Sequence, residues 1–146
     1  MIDPETRFNE IIDALKSREY RLTPQRVELI RMIARSEGHP SAGMLYARIK
    51  DRFPTMSPAT VYKTLALLKE LNQVVEIDLP HDIHFDGNRP EPHPHLVCLR
   101  CNTILDGNFT IEKHDIQHME QETGFLVQRQ QLVFFGLCSA CQEKAE

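Results

Sequence analysis

The sequence predicts an α+β fold divided into two small units, on three observations. Amphipathic segments of helical period fill the first half, two short β-branched and aromatic stretches follow them, and two Cys-x-x-Cys pairs bracket the second half. At 146 residues the chain has room for one ordinary domain or two very small ones, and a unit of about 70 residues rarely stabilises itself by core burial alone. Two such units need a staple or a partner chain.

The helices come first, over residues 8–18, 24–35 and 42–52, the second opened by Thr23 as N-cap with Pro24 at N1. A fourth begins at Ser57-Pro58 and runs to Lys69. In it Val61, Leu65 and Leu68 recur at helical spacing to face a core, which leaves Thr60, Tyr62, Lys63 and Lys69 mostly on other faces. Residues 74–77 and 83–85 follow as two short strands around a turn. Pro80, Pro90, Pro92 and Pro94 then disfavour continuous helix or central strand. The expected division is a DNA-binding domain at 1–80, a hinge at 81–92 and a second domain at 93–146. A helix over 110–123, closed by Gly124, carries His114 and His118 at i and i+4; with no third ligand evident they read as solvent-exposed.

Helices followed by a two-stranded hairpin are the order of a winged helix-turn-helix, in which a late helix enters the major groove of double-stranded DNA. The net charge of −4 argues against nucleic acid until it is mapped along the chain. Residues 16–69 hold 11 Lys/Arg against 4 Asp/Glu, whereas residues 77–146 hold 5 against 11. The first half therefore carries a field suited to phosphates and the second suits cations or protein contacts. Arg21, Arg26, Ser57, Thr60, Tyr62 and Lys63 are the candidate DNA contacts, being basic or hydroxyl-bearing; a tyrosine placed like Tyr62 more often packs, half-buried, than reads a base.

No apolar run approaches the roughly 18 residues of a membrane span, and the start Met1-Ile2-Asp3-Pro4-Glu5 lacks the basic and apolar regions of a secretory signal. A soluble, cytoplasmic protein with no membrane partner is expected, and its four cysteines read as metal ligands before disulfides. Cys98-Leu99-Arg100-Cys101 and Cys138-Ser139-Ala140-Cys141 together supply the four thiolates that zinc takes in a tetrahedron. With 36 residues between the pairs, the site should clamp the beginning of the second domain to its end. A thiol oxidoreductase would need neither a second pair nor a basic helical domain, and a zinc hydrolase would need an open coordination position that four sulfurs close. His39, Asp86, His93, His95 and Asp106 form a second, scattered set of possible ligands. His93 and His95 would point to the same side of an extended chain. A lone histidine before a proline, such as His39, is more ordinarily a surface or helix-capping residue. His84, two residues before Asp86, shares its face and is a possible substitute ligand.

Leu22-Thr23-Pro24-Gln25-Arg26, Gly38-His39-Pro40-Ser41-Ala42, Ser57-Pro58-Ala59-Thr60-Val61-Tyr62, His93-x-His95-x-x-Cys98-x-x-Cys101 and Cys138-x-x-Cys141 together resemble the ferric uptake regulator family, over about residues 21–141. The resemblance is to the peroxide-responsive branch above all. It implies a winged-helix domain before an α/β dimerisation domain, one structural Zn2+ per subunit at the four cysteines, and one regulatory Fe2+ or Mn2+ at His39, Asp86, His93, His95 and Asp106. It further implies a homodimeric repressor, not an enzyme, on inverted-repeat operator DNA, with Fe(II)-dependent oxidation of a ligand histidine as the peroxide signal. Aspartate at Asp106 is similar to the peroxide sensors, where iron sensors usually carry glutamate; an iron-responsive repressor of iron uptake is the alternative. At the positions of a further metal site common in the family stand Pro92, Pro94, Lys113 and Gln130, none a plausible ligand. Lys63 and Thr64 depart from the peroxide-sensor pattern in the fourth helix.

Overall fold

A computed structural model of the chain describes residues 2–35 and 39–144, so Gly38 of the second resembling motif lies outside the described residues. The chain separates into two compact units, residues 1–91 and 92–146.

The first unit holds four helices and a hairpin: α1 (Pro4–Ser17), α2 (Pro24–Arg35), α3 (Ala42–Ile49), α4 (Pro58–Glu70), β1 (Val75–Asp78) and β2 (Ile83–Asp86). Helix α1 begins four residues before the expected start, because Asp3 caps it by accepting from the Thr6 amide at 2.9 Å and Pro4 occupies the first turn. Thr23 caps α2 through its hydroxyl, which accepts from Arg26 N at 3.2 Å. Helix α3 stops at Ile49, short of the expected Arg52. There the amides of both Arg52 and Phe53 turn back onto the Ile49 carbonyl. In α4, Val61, Leu65 and Leu68 are buried as their spacing requires, and Thr64 joins them. The Thr64 hydroxyl donates to the Thr60 carbonyl at 2.9 Å, so that side chain is turned inward.

These helices share one apolar core built around Ile11, Leu15, Leu29, Ile30, Leu45 and Leu68. Strands β1 and β2 pair antiparallel, from Val75 opposite Asp86 to Asp78 opposite Ile83. Strand β2 and Asp86 therefore belong to the first unit, which runs on through Glu91, although the sequence places them in a hinge at 81–92.

A buried arginine fastens the hairpin to α1. Arg7 is 1% exposed; its Nε donates to the Gly87 carbonyl and its Nη2 to the Gln73 carbonyl, both at 2.6 Å, while Nη1 meets Glu10 at 3.0 Å. Both ends of the hairpin thus hang from one guanidinium, each of whose three nitrogens has a hydrogen-bond partner, as a buried charge requires. Gly87 sits hard against α2: a Cβ there would overlap Ile33 Cγ2 and stand 2.7 Å from the Ile33 carbonyl oxygen. Main chain cannot yield as a side-chain tip can, so Gly87→Ala is expected to destabilise the first unit by about 3 kcal/mol, the upper end of ordinary overpacking. A thermal melt lowered by about 10 °C or more, with zinc content unchanged, is the expected result; an unshifted melt refutes the packing argument.

The second unit holds β3 (His95–Cys98), β4 (Ile104–Asp106), α5 (Lys113–Thr123), β5 (Val133–Gly136) and α6 (Ser139–Glu143). Its three-stranded sheet runs β4-β3-β5, with β4 antiparallel and β5 parallel to the central β3. Gly124, at φ 71°, closes α5 in the left-handed conformation that glycine adopts without penalty.

Candidate metal centres

Cys98 ends β3, Cys101 lies in the turn to β4, Cys138 is the N-cap of α6, and Cys141 is carried on α6. Asn102 makes the first turn possible by taking φ 60°, a conformation asparagine tolerates better than most residues. The first turn is joined to the last strand by Leu99 N donating to Gly136 O at 2.8 Å, and to α6 by Arg100 Nη1 donating to Cys141 O at 2.8 Å. All four sulfurs lie within 4.8 Å of one another, Cys101 and Cys138 at 3.7 Å, and none is in a disulfide. Four sulfurs at 2.3 Å from one zinc stand about 3.8 Å apart, close to the Cys101–Cys138 separation, so the residues of the cluster fit zinc.

The protein environment splits these thiols. The Cys138 amide, 3.4 Å from Cys98 Sγ, is the chief cause that lowers the Cys98 thiol to about 6, with the Cys101 and Arg100 amides adding to it. Cys101 is also lowered, first by the Thr103 hydroxyl 3.1 Å from its sulfur. Burial pushes Cys141 up to about 12, reinforced by the neighbouring sulfurs. Thiolate is the form that binds metal, so Cys98 is prepared for zinc and Cys141 must give up a proton to it.

Each unit also holds a group of nitrogen and carboxylate donors. In the first, His39 Nε2 lies 3.3 Å from Asp86 Oδ2. The other Asp86 oxygen accepts from the amides of Asn88 (3.0 Å) and Arg89 (3.2 Å), which fixes the carboxylate. His39 does not cap α3; Ser41 does, accepting from Met44 N. In the second unit, strand register places His95 opposite Asp106. Asp106 Oδ1 is 3.1 Å from His93 Nε2 and 3.5 Å from His95 Nε2, and the two imidazole rings are 4.4 Å apart. Adjacent ligands on an ion with bonds near 2.1 Å are separated by about 3.0–3.4 Å, close to the His39–Asp86 and His95–Asp106 separations of 3.3 and 3.5 Å, and these four residues, without His93, have donor atoms that could hold an ion. Imidazole and carboxylate without sulfur suit Fe(II) or Mn(II).

The remaining candidates divide by exposure. Tyr62 is 60% exposed on α4, and Lys63, Ser57 and Arg21 are exposed as well. Thr60 is half-buried, its hydroxyl 3.3 Å from that of Ser57. Arg26 is half-buried, donating to the Arg21 carbonyl at 2.6 Å. Thr64, inside the core, is removed from any base-reading role. His114 and His118 are exposed beside Asp115 and Glu122. Among the described residues no helix is long and apolar enough to cross a membrane. Sequence reasoning missed Arg7, Thr103 and the role of His84, whose Nδ1 meets the His39 carbonyl at 2.6 Å.

The chain is 31% identical over 142 residues to the peroxide-responsive repressor PerR of Staphylococcus aureus, covering 96% of this chain and 95% of that protein. Among solved structures, a zinc uptake regulator complexed with zinc and DNA has a TM-score of 0.77 at 25% identity, over 99% of this chain and 98% of that one. PerR from Streptococcus pyogenes has 0.53 at 30% identity, over 92% of each. The Helicobacter pylori ferric uptake regulator shares the fold, with a TM-score of 0.72 at 20% identity over 99% and 97%. The sequence pattern of the ferric uptake regulator family matches residues 17–135, and the chain belongs to that family.

Proposed function

We propose that the chain is a metal-dependent transcriptional repressor that binds operator DNA as a homodimer and senses peroxide through a regulatory ion. The observation that carries this reading is the donor chemistry at Asp106, an aspartate with two imidazole nitrogens directed at one of its oxygens. The likeness to PerR and to a regulator complexed with DNA supports it. His39 and Asp86 in the first unit, with His93, His95 and Asp106 in the second, are the proposed ligands. An ion that takes all five couples the units, and in a symmetric dimer that coupling sets the spacing of two α4 helices, which must match half-sites about 34 Å or a related distance apart. Bound Fe(II) supplies a centre that peroxide can oxidise, and Mn(II) supplies the ligation without that reaction.

DNA binding tests the repressor reading directly. With Mn(II) present, affinity for an inverted-repeat operator should be high, be lost on chelation, and fall steeply between about 50 and 200 mM salt as phosphate contacts release counterions. Lys63→Ala should weaken binding and lower the logarithmic salt slope by about one unit, the share of one phosphate contact. Affinity that ignores both metal and salt removes the proposal.

A further inference from the structure

We infer that His84 is a positioning residue: its imidazole holds the His39 backbone in the conformation that sets the His39 ring beside Asp86. The inference rests on the reading of His39 and Asp86 as metal ligands, and assigns a role to a side chain that this reading leaves unused.

His39 has φ 48°, in the left-handed region, and precedes Pro40. A side chain with a Cβ seldom adopts that region, and a following proline narrows the choice further, so surrounding contacts must over-determine it. Two of those contacts are backbone pairings to β2: Ser41 bridges to His84, and Phe85 N donates to Pro40 O at 3.0 Å. A third comes from a side chain. His84 Nδ1 lies 2.6 Å from the His39 carbonyl oxygen. A carbonyl only accepts, so Nδ1 carries the proton and the ring is the donor.

The alternation of β2 explains why residue 84 can do this. Positions 84 and 86 point to one face of the strand, so the ring that grips the His39 main chain and the carboxylate that faces the His39 ring come from the same side. Asp86 is fixed by the Asn88 and Arg89 amides. The 3.3 Å approach of the His39 ring to Asp86 follows from how the His39 backbone is held. A ring nitrogen committed to a carbonyl is unavailable to an ion, so His84 acts through His39 and is not a replacement ligand through Nδ1.

The full-length zinc-containing protein carries the test, with Mn(II) as the probe. His84→Leu removes the donor, and His84→Asn returns an N–H close to the Nδ1 position. His84→Leu should weaken Mn(II) binding about tenfold, and His84→Asn should restore it to within about threefold of the wild type. Equal Mn(II) affinity in wild type and His84→Leu overturns the inference while leaving the metal-sensing reading in place. A wild type that binds neither Mn(II) nor Fe(II) defeats the metal reading instead. The positioning claim is then decided without metal by nitrogen-15 spectra of the histidine rings. They should show His84 protonated on Nδ1, and His39 ring signals that move in His84→Leu. His84 protonated on Nε2 alone, readable in the wild type even if a variant fails to fold, overturns it.

Discussion

Replacing Cys98 or Cys141 with serine is expected to abolish zinc retention and, with it, the folded second unit and the dimer. The buried apolar side chains there, among the described residues, are Val97, Cys98, Ile104 and Cys141, so half of the core is metal ligand. Phe109, Phe125 and Leu126 are 62–75% exposed and add nothing to a monomeric core. A unit this small is held by its staple, and structural zinc contributes about 10–16 kcal/mol of binding free energy that is folding free energy as well. The site joins the first hairpin of the unit to its last helix, so losing one thiolate disconnects both ends. Acid should act in the same direction as mutation. Protons compete for Cys141 at every pH below about 12 and for Cys98 only below about 6, so zinc affinity should rise with pH through neutrality. Elemental analysis with size-exclusion chromatography checks the variants. One zinc retained per chain by three cysteines, with the dimer intact, refutes the staple.

Much of the first unit was legible because its signals are local. Thr23-Pro24 marks the start of α2, and the spacing of Val61, Leu65 and Leu68 marks the buried face of α4. The early start of α1 had a signal too, in Asp3-Pro4, but the apolar period that draws attention begins at Phe8. The second unit was less legible for a physical reason. Strand β5 pairs with β3 from more than 30 residues away, and strands of three or four residues carry too few alternations to reveal which face they bury. The cysteine pairs stood out because zinc chemistry requires both. The regulatory ligands did not stand out one by one, and only the family resemblance joined them. Arg7 left no mark, and His84 stood out only as a possible ligand beside Asp86, since each acts on backbone carbonyls that every residue has.

Iron-loaded protein given a small excess of peroxide is expected to gain the mass of one oxygen atom on His39 or His93 and to release DNA, while manganese-loaded protein does neither. Both histidines lie against a carboxylate, at 3.3 Å and 3.1 Å, and both are proposed ligands of the regulatory ion. Oxidising either ring removes one nitrogen ligand. In the proposed reading, losing the His39 nitrogen would weaken the hold on the regulatory ion and with it DNA binding. In the proposed reading, Asp106 would set how open the ion is to peroxide. Its position at the end of β4, opposite His95, brings one oxygen to both imidazoles. Asp106 would help hold the ion, and a glutamate there would carry its carboxylate one methylene further, which would leave the ion less accessible to peroxide. Asp106→Glu should therefore keep metal and DNA binding but oxidise more slowly, by at least about tenfold, measured by peptide mass spectrometry against time. If the iron form stays unmodified on DNA under peroxide while removal of iron releases it, peroxide sensing is excluded, and the chain acts as an iron-responsive repressor with the same ligands.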